Sequence, residues 1–153
     1  MNTELKTSLI AAVVSAAVGG VAALGVQFLG DSVSQKRAAR IETVLNFSNE
    51  ELPITHLAAR YISIITDGGD LGPLRLEIRG KVAEEIRKAD RLKSQFANVA
   101  PAVTEYQDAL ETFAGSLDQA EGLTSMRAWV ESFGRVVDAR DVLDQQLRAD
   151  VGV

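Results

Sequence analysis

Positions 9–29 are apolar without a single charge, reading LIAAVVSAAVGGVAALGVQFL. From there to the carboxyl end, hydrophobic and polar residues alternate at helical spacing. At about 1.5 Å of rise per residue, the uncharged run covers roughly the 30 Å hydrocarbon core of a bilayer, which predicts a transmembrane helix within residues 1–30. The next segment, residues 31–52, contains no proline or obvious break, and Val33, Ile41, Val44 and Leu45 give it a weak apolar stripe. It is expected to continue the first helix, with an adjustment near Gly30 and Asp31, as a juxtamembrane helix or linker. Pro53 disfavours a helical conformation at the residue before it and marks the start of a helical bundle over residues 53–153.

Within that bundle, Ile54, Leu57, Ala58, Tyr61, Ile62 and Ile65 recur at steps of three and four, predicting a core helix closed by Asp67-Gly68-Gly69-Asp70. The following stretch is ambiguous. Leu74, Leu76 and Ile78 alternate with charges as in a half-buried strand, whereas Val82, Ile86, Ala89, Leu92 and Phe96 keep helical spacing. One helix over residues 73–97 is preferred, because no second strand exists to pair with the first. Pro101 suits the first turn of another helix, which carries Val103, Tyr106, Leu110, Phe113, Leu117 and Ala120 in alternating steps as a coiled-coil-like seam. Gly122 is the expected stop and Thr124 or Ser125 the expected cap of a last helix bearing Met126, Trp129, Val130, Phe133, Val136, Val137, Leu143 and Leu147. Short connections make successive helices antiparallel neighbours. The predicted fold class is therefore all-α: one N-terminal transmembrane helix followed by an antiparallel bundle of four or five helices, with Tyr61, Phe96, Phe113, Trp129 and Phe133 in its core.

The apolar run has two unlike sides. At about 100° per residue, Ala11, Ala12, Ser15, Ala16, Gly19, Gly20, Ala22, Ala23 and Gln27 share one half of the helix, while Ile10, Val13, Val14, Val18, Val21, Leu24 and Phe28 take the other. Rows of small residues let a neighbouring backbone approach closely, and Gln27 can add a hydrogen bond between helices. This side is read as a packing face, for further copies of the chain or for a multi-pass membrane protein, and the bulky side as lipid-facing. A cleaved leader would carry a shorter apolar core behind a clear basic segment, whereas only Lys6 precedes this run. Lys36, Arg37 and Arg40 follow it, so the positive-inside rule places the carboxyl-terminal domain in the cytoplasm.

Charge and composition narrow the function further. Sixteen basic against twenty-one acidic residues leave a net charge of −5, and an acidic domain is poorly suited to nucleic-acid phosphates. The absence of cysteine removes disulfides, thiolate nucleophiles and sulfur-ligated zinc. The single histidine, His56, has no carboxylate three residues away, so the paired Glu-x-x-His ligands of metal-binding bundles cannot be built, and no metal or cofactor is expected. Asp67 and Asp70 lack the further ligands of a calcium loop. Asp138, Asp141 and Asp144, with Arg135, Arg140 and Arg148, read as a solvated face with weak ion pairs. No phosphate-binding loop or nucleophile motif is present.

Together these features predict a non-enzymatic single-pass membrane protein that assembles through its small-residue face and presents a helical bundle to other proteins. The alternative is an oligomeric membrane effector whose bundle senses a ligand or partner and rearranges the transmembrane helices into a leak.

Overall fold

Residues 31–120 and 123–153 are described by a computed structural model, and among them all regular structure is helical. Helix α1 spans Asp31–Asn49, α2 Ile54–Asp67, α3 Gly72–Gln95, α4 Ala100–Ser116 and α5 Leu123–Val151, with one 3₁₀ turn at Ala97–Val99 before α4. The segment 74–78 is thus helical. Leu74 and Ile78 are buried four residues apart while Leu76, between them, is 70% exposed, which is helical and not strand periodicity.

The local punctuation follows the residues. Pro53 immediately precedes α2, and residues 50–53 lie outside any helix. The α2 helix ends where Gly68 takes φ +72°, a left-handed conformation that glycine adopts without a Cβ penalty. Asp70 accepts the backbone N–H of Gly72 (2.9 Å), supplying a side-chain acceptor at the start of α3. Prolines 73 and 101 sit in the first turns of α3 and α4, where a missing N–H costs nothing. The last helix already begins at Leu123, so Thr124 and Ser125 lie inside its first turn and do not precede it as caps; Gly122 falls outside the described residues.

The core is a set of seams. On α4, Val103, Tyr106, Leu110 and Phe113 are all fully buried, and Leu117 and Ala120 continue the line past its end. On α3 the buried line is Leu74, Ile78, Val82, Glu85, Ala89 and Leu92, continued just past its end by Phe96, so Glu85 occupies the place that the apolar pattern gives to Ile86. On α5 it is Trp129, Ser132, Val136, Ala139, Leu143, Leu147 and Val151; Val130 and Val137 face outward and Phe133 packs at the margin.

Helices α2, α3, α4 and α5 contact one another in a closed cycle. Their contacts run antiparallel: Arg79 meets Asp118, Glu85 meets Tyr106 and Lys93 meets Thr104 between α3 and α4. The second half of α1 extends the α2 column. Along α5, Arg40 pairs with Asp150, Ser48 with Asp144, Arg140 with the Phe47 carbonyl, and the Tyr61 ring packs tilted against Trp129. The bundle therefore has four columns, the first broken at Pro53 and the fourth, α5, continuous.

Compactness divides the chain at residue 39. The unit Arg40–Val153 includes the second half of α1, with Val44 and Phe47 buried, so the bundle begins thirteen residues before the boundary expected at Pro53. In the other unit, Met1–Ala39, only residues 31–39 are described; they are helical, and residues 33–39 are exposed, including Val33 of the expected stripe. The expected transmembrane helix lies outside the described residues. Among those described, no helix is long and apolar enough to cross a membrane.

Candidate functional site

Where α1 ends, four helices bring polar groups together. Glu85 of α3 is only 3% exposed, and a carboxylate at that depth requires partners. Tyr106 of α4 donates its hydroxyl to Glu85 Oε2 (3.2 Å), and Lys88 Nζ lies 2.8 Å from Glu85 Oε1. The same ammonium donates to Glu50 Oε1 at 2.5 Å, tying the residue after α1 to α3. From α5, Arg140 Nη2 donates to the carbonyls of Phe47 (3.0 Å) and Glu50, and its guanidinium lies 4.9 Å from the Phe47 ring centroid. The Phe47 ring in turn meets Tyr106 edge-on, with centroids 6.5 Å apart.

This geometry has a clear helical logic. The last carbonyls of a helix have no intrahelical partners and form the negative end of its dipole, so a cation placed there satisfies both. The α1 helix carries no basic residue in its last turn, and Arg140 fills that role from another helix. Arginine suits it because its planar fork can donate to two acceptors while stacking on an aromatic face. The expected solvated Asp–Arg face on α5 holds for Arg135, Asp138 and Asp141, which are exposed, and for the Asp144–Arg148 pair, but is corrected at Arg140. Arg140 inserts against α1, while Asp144 binds both Ser48 and Arg148, the latter at 2.9 Å.

The protonation states fit the contacts. Burial pushes the Tyr106 phenol far above its ordinary range and the Glu85 charge adds to this, while Arg140 pulls in the opposite direction. The phenol is therefore held as a donor. For Lys88 burial acts to lower the pKa, but its hydrogen bonds to Glu50 and Glu85 outweigh it, and the net shift is upward.

A second polar pair stands farther along α1. Arg40 pairs with Asp150 and lies over the Phe96 ring at 4.8 Å, and Asn98 donates to Asp150 Oδ1 at 2.9 Å. One of the three cations used to orient the chain thus belongs to the bundle's own packing, whereas Lys36 and Arg37 are exposed. At the break between α1 and α2, a shallow groove is lined by Leu52, Thr55, His56, Phe133, Val137 and Arg140. His56 is exposed there, 3.4 Å from Glu51 Oε2.

The small-residue face, Ala11, Ala12, Ser15, Ala16, Gly19, Gly20, Ala23 and Gln27, lies outside the described residues. Asp67 and Asp70 are exposed and serve their turn, Asp67 accepting from Ser63 and Asp70 from Gly72. Trp129 is core, flanked by Tyr61 and Phe113 at centroid distances of 4.8 and 5.3 Å. The clasp at the end of α1 was not expected from the sequence. Its one visible signal is Glu85, a carboxylate in register with Ile78, Val82, Ala89 and Leu92.

Comparison with protein-family models, with curated proteins and with solved structures finds no match for this chain.

Proposed function

We propose that this chain is a non-enzymatic, single-pass membrane protein that assembles through the small-residue face of residues 9–29 and carries a helical bundle for protein–protein assembly. The observation that carries the reading is a continuity. The uncharged run ends at Leu29, α1 begins at Asp31, and the second half of the same helix is clasped into the bundle by Arg140, Lys88 and Asp150. A span of that length fits a bilayer. Helix α1 thus follows the uncharged run within two residues, so little chain separates the expected span from the bundle. Lipid is the first partner in this reading, and further copies or a multi-pass membrane protein the second; Lys36 and Arg37 favour a cytoplasmic bundle.

The test is the particle mass of the full chain extracted gently from its membrane, measured by native mass spectrometry. The wild-type chain is expected as a multimer or as a component of a larger complex. Replacing Gly19→Leu and Gly20→Leu together should release single copies while far-UV circular dichroism and bundle unfolding stay unchanged. An unchanged particle mass in that double variant would refute assembly through the small face.

A further inference from the structure

The α1 segment is held to the bundle differently from the other helices. Only Val44 and Phe47 of residues 40–49 are buried apolar side chains, with Ile41 partly so, whereas α4 buries five side chains along a seam of similar length. The remaining hold on α1 is polar and peripheral. Arg40 pairs with Asp150, Ser48 with Asp144, and Arg140 and Lys88 grip the end of the helix through the Phe47 carbonyl and Glu50. Contacts of this kind are individually weak and partly solvated. The segment also has a natural pivot in residues 50–53, which are non-helical and end at Pro53.

We propose that residues 40–49 form a releasable strap. They detach as one unit, pivoting at residues 50–53, while α2 to α5 stay folded. The α2 to α5 cycle is closed without α1, so the strap's departure removes no link between those four helices. It uncovers the Phe96 ring beneath Arg40 and the edge of Tyr106 beneath Phe47, and it admits water to the Glu85–Lys88–Tyr106 set. The strap is thus a lid over the most polar part of the core. All these contacts lie within Arg40–Val153, so the inference stands independently of the membrane reading.

Amide hydrogen exchange of the full-length chain in detergent tests it. Cooperative sub-global opening gives the amides of residues 44–49 a common exchange rate, about a hundredfold or more faster than those of residues 103–113, with a weaker urea dependence. Phe113→Leu, at the opposite end of the core, should accelerate the α4 amides by about tenfold or more and leave the strap amides within about twofold. Arg140→Met should accelerate the strap by about tenfold or more, since its contacts are lost on opening. Equal wild-type rates in strap and α4, co-acceleration of the strap by Phe113→Leu, or an Arg140→Met strap that exchanges as in the wild type would each overturn the proposal. The wild-type urea series decides the matter even where a variant fails to fold.

Discussion

Removing one hydroxyl, in Tyr106→Phe, should both weaken the bundle at neutral pH and make it less sensitive to alkali. The ring packing against Phe47 is retained, and what is lost is the donor to Glu85 Oε2 at 3.2 Å. A hydrogen bond to a buried charged group contributes on the order of 1.5–3 kcal/mol, so a cost of about 2 kcal/mol is expected near pH 7. At high pH this advantage is lost. The Tyr106 pKa is raised on folding, so native Tyr106 keeps its proton while the unfolded phenol releases it near pH 10. Above that pH the unfolded state binds fewer protons, and the wild-type chain loses about 1.4 kcal/mol of stability per pH unit through this group. Phenylalanine has no such proton to hold. The gap between the two proteins should close as pH rises, vanishing about one and a half units above the unfolded pKa. The raised pKa of Lys88 also costs stability as pH rises past its unfolded value, but it does so in both proteins and largely cancels. Urea unfolding followed by circular dichroism, from about pH 9 to about pH 11.5, measures the difference. A wild-type advantage that stays constant across that range would refute the account of the Glu85–Tyr106 contact.

Two further substitutions test the fold. Ile78→Ala should cost about 2–4 kcal/mol and Leu76→Lys less than about 0.5, because one side chain is fully buried and the other 70% exposed; similar urea midpoint shifts for both would revive a strand there. Gly68→Ala should cost about 1 kcal/mol, through its φ of +72° alone, since no atom stands in the way of a Cβ; an unchanged midpoint would mean that the left-handed turn is not maintained in solution.

Much of the bundle is legible in the pattern of the chain, because a buried helix face repeats at a spacing fixed by geometry. The seam of α4 is found residue for residue, and Pro53, Pro101 and Gly68 mark boundaries where their backbone chemistry requires them. Periodicity fails where a seam position is polar. Glu85 and Ser132 interrupt the apolar count, so attention shifts to Ile86 and to Phe133 with its neighbour Val130, which lie one turn-angle off the true face. The clasp on α1 is harder to see for a different reason. Arg140 acts on carbonyls some ninety residues away, and a backbone acceptor has no signature in the side-chain sequence. The same holds for Tyr61, whose hydroxyl reaches the carbonyls of Leu117 and Ala120 at 2.9 and 3.1 Å.

The antiparallel register has a practical consequence for anyone attaching something to this molecule. Arg40 and Asp150 meet, so the compact unit begins and ends at one pole, and the opposite pole is formed by the Gly68–Gly69 turn and by the link after α4, where Tyr61 and Asp118 are engaged. A fluorophore or affinity tag fused to the carboxyl end is therefore delivered to the same pole of the unit as Arg40. An insertion at Gly69, in an exposed turn, displays its cargo at the far pole of the unit, away from Arg40 and Asp150.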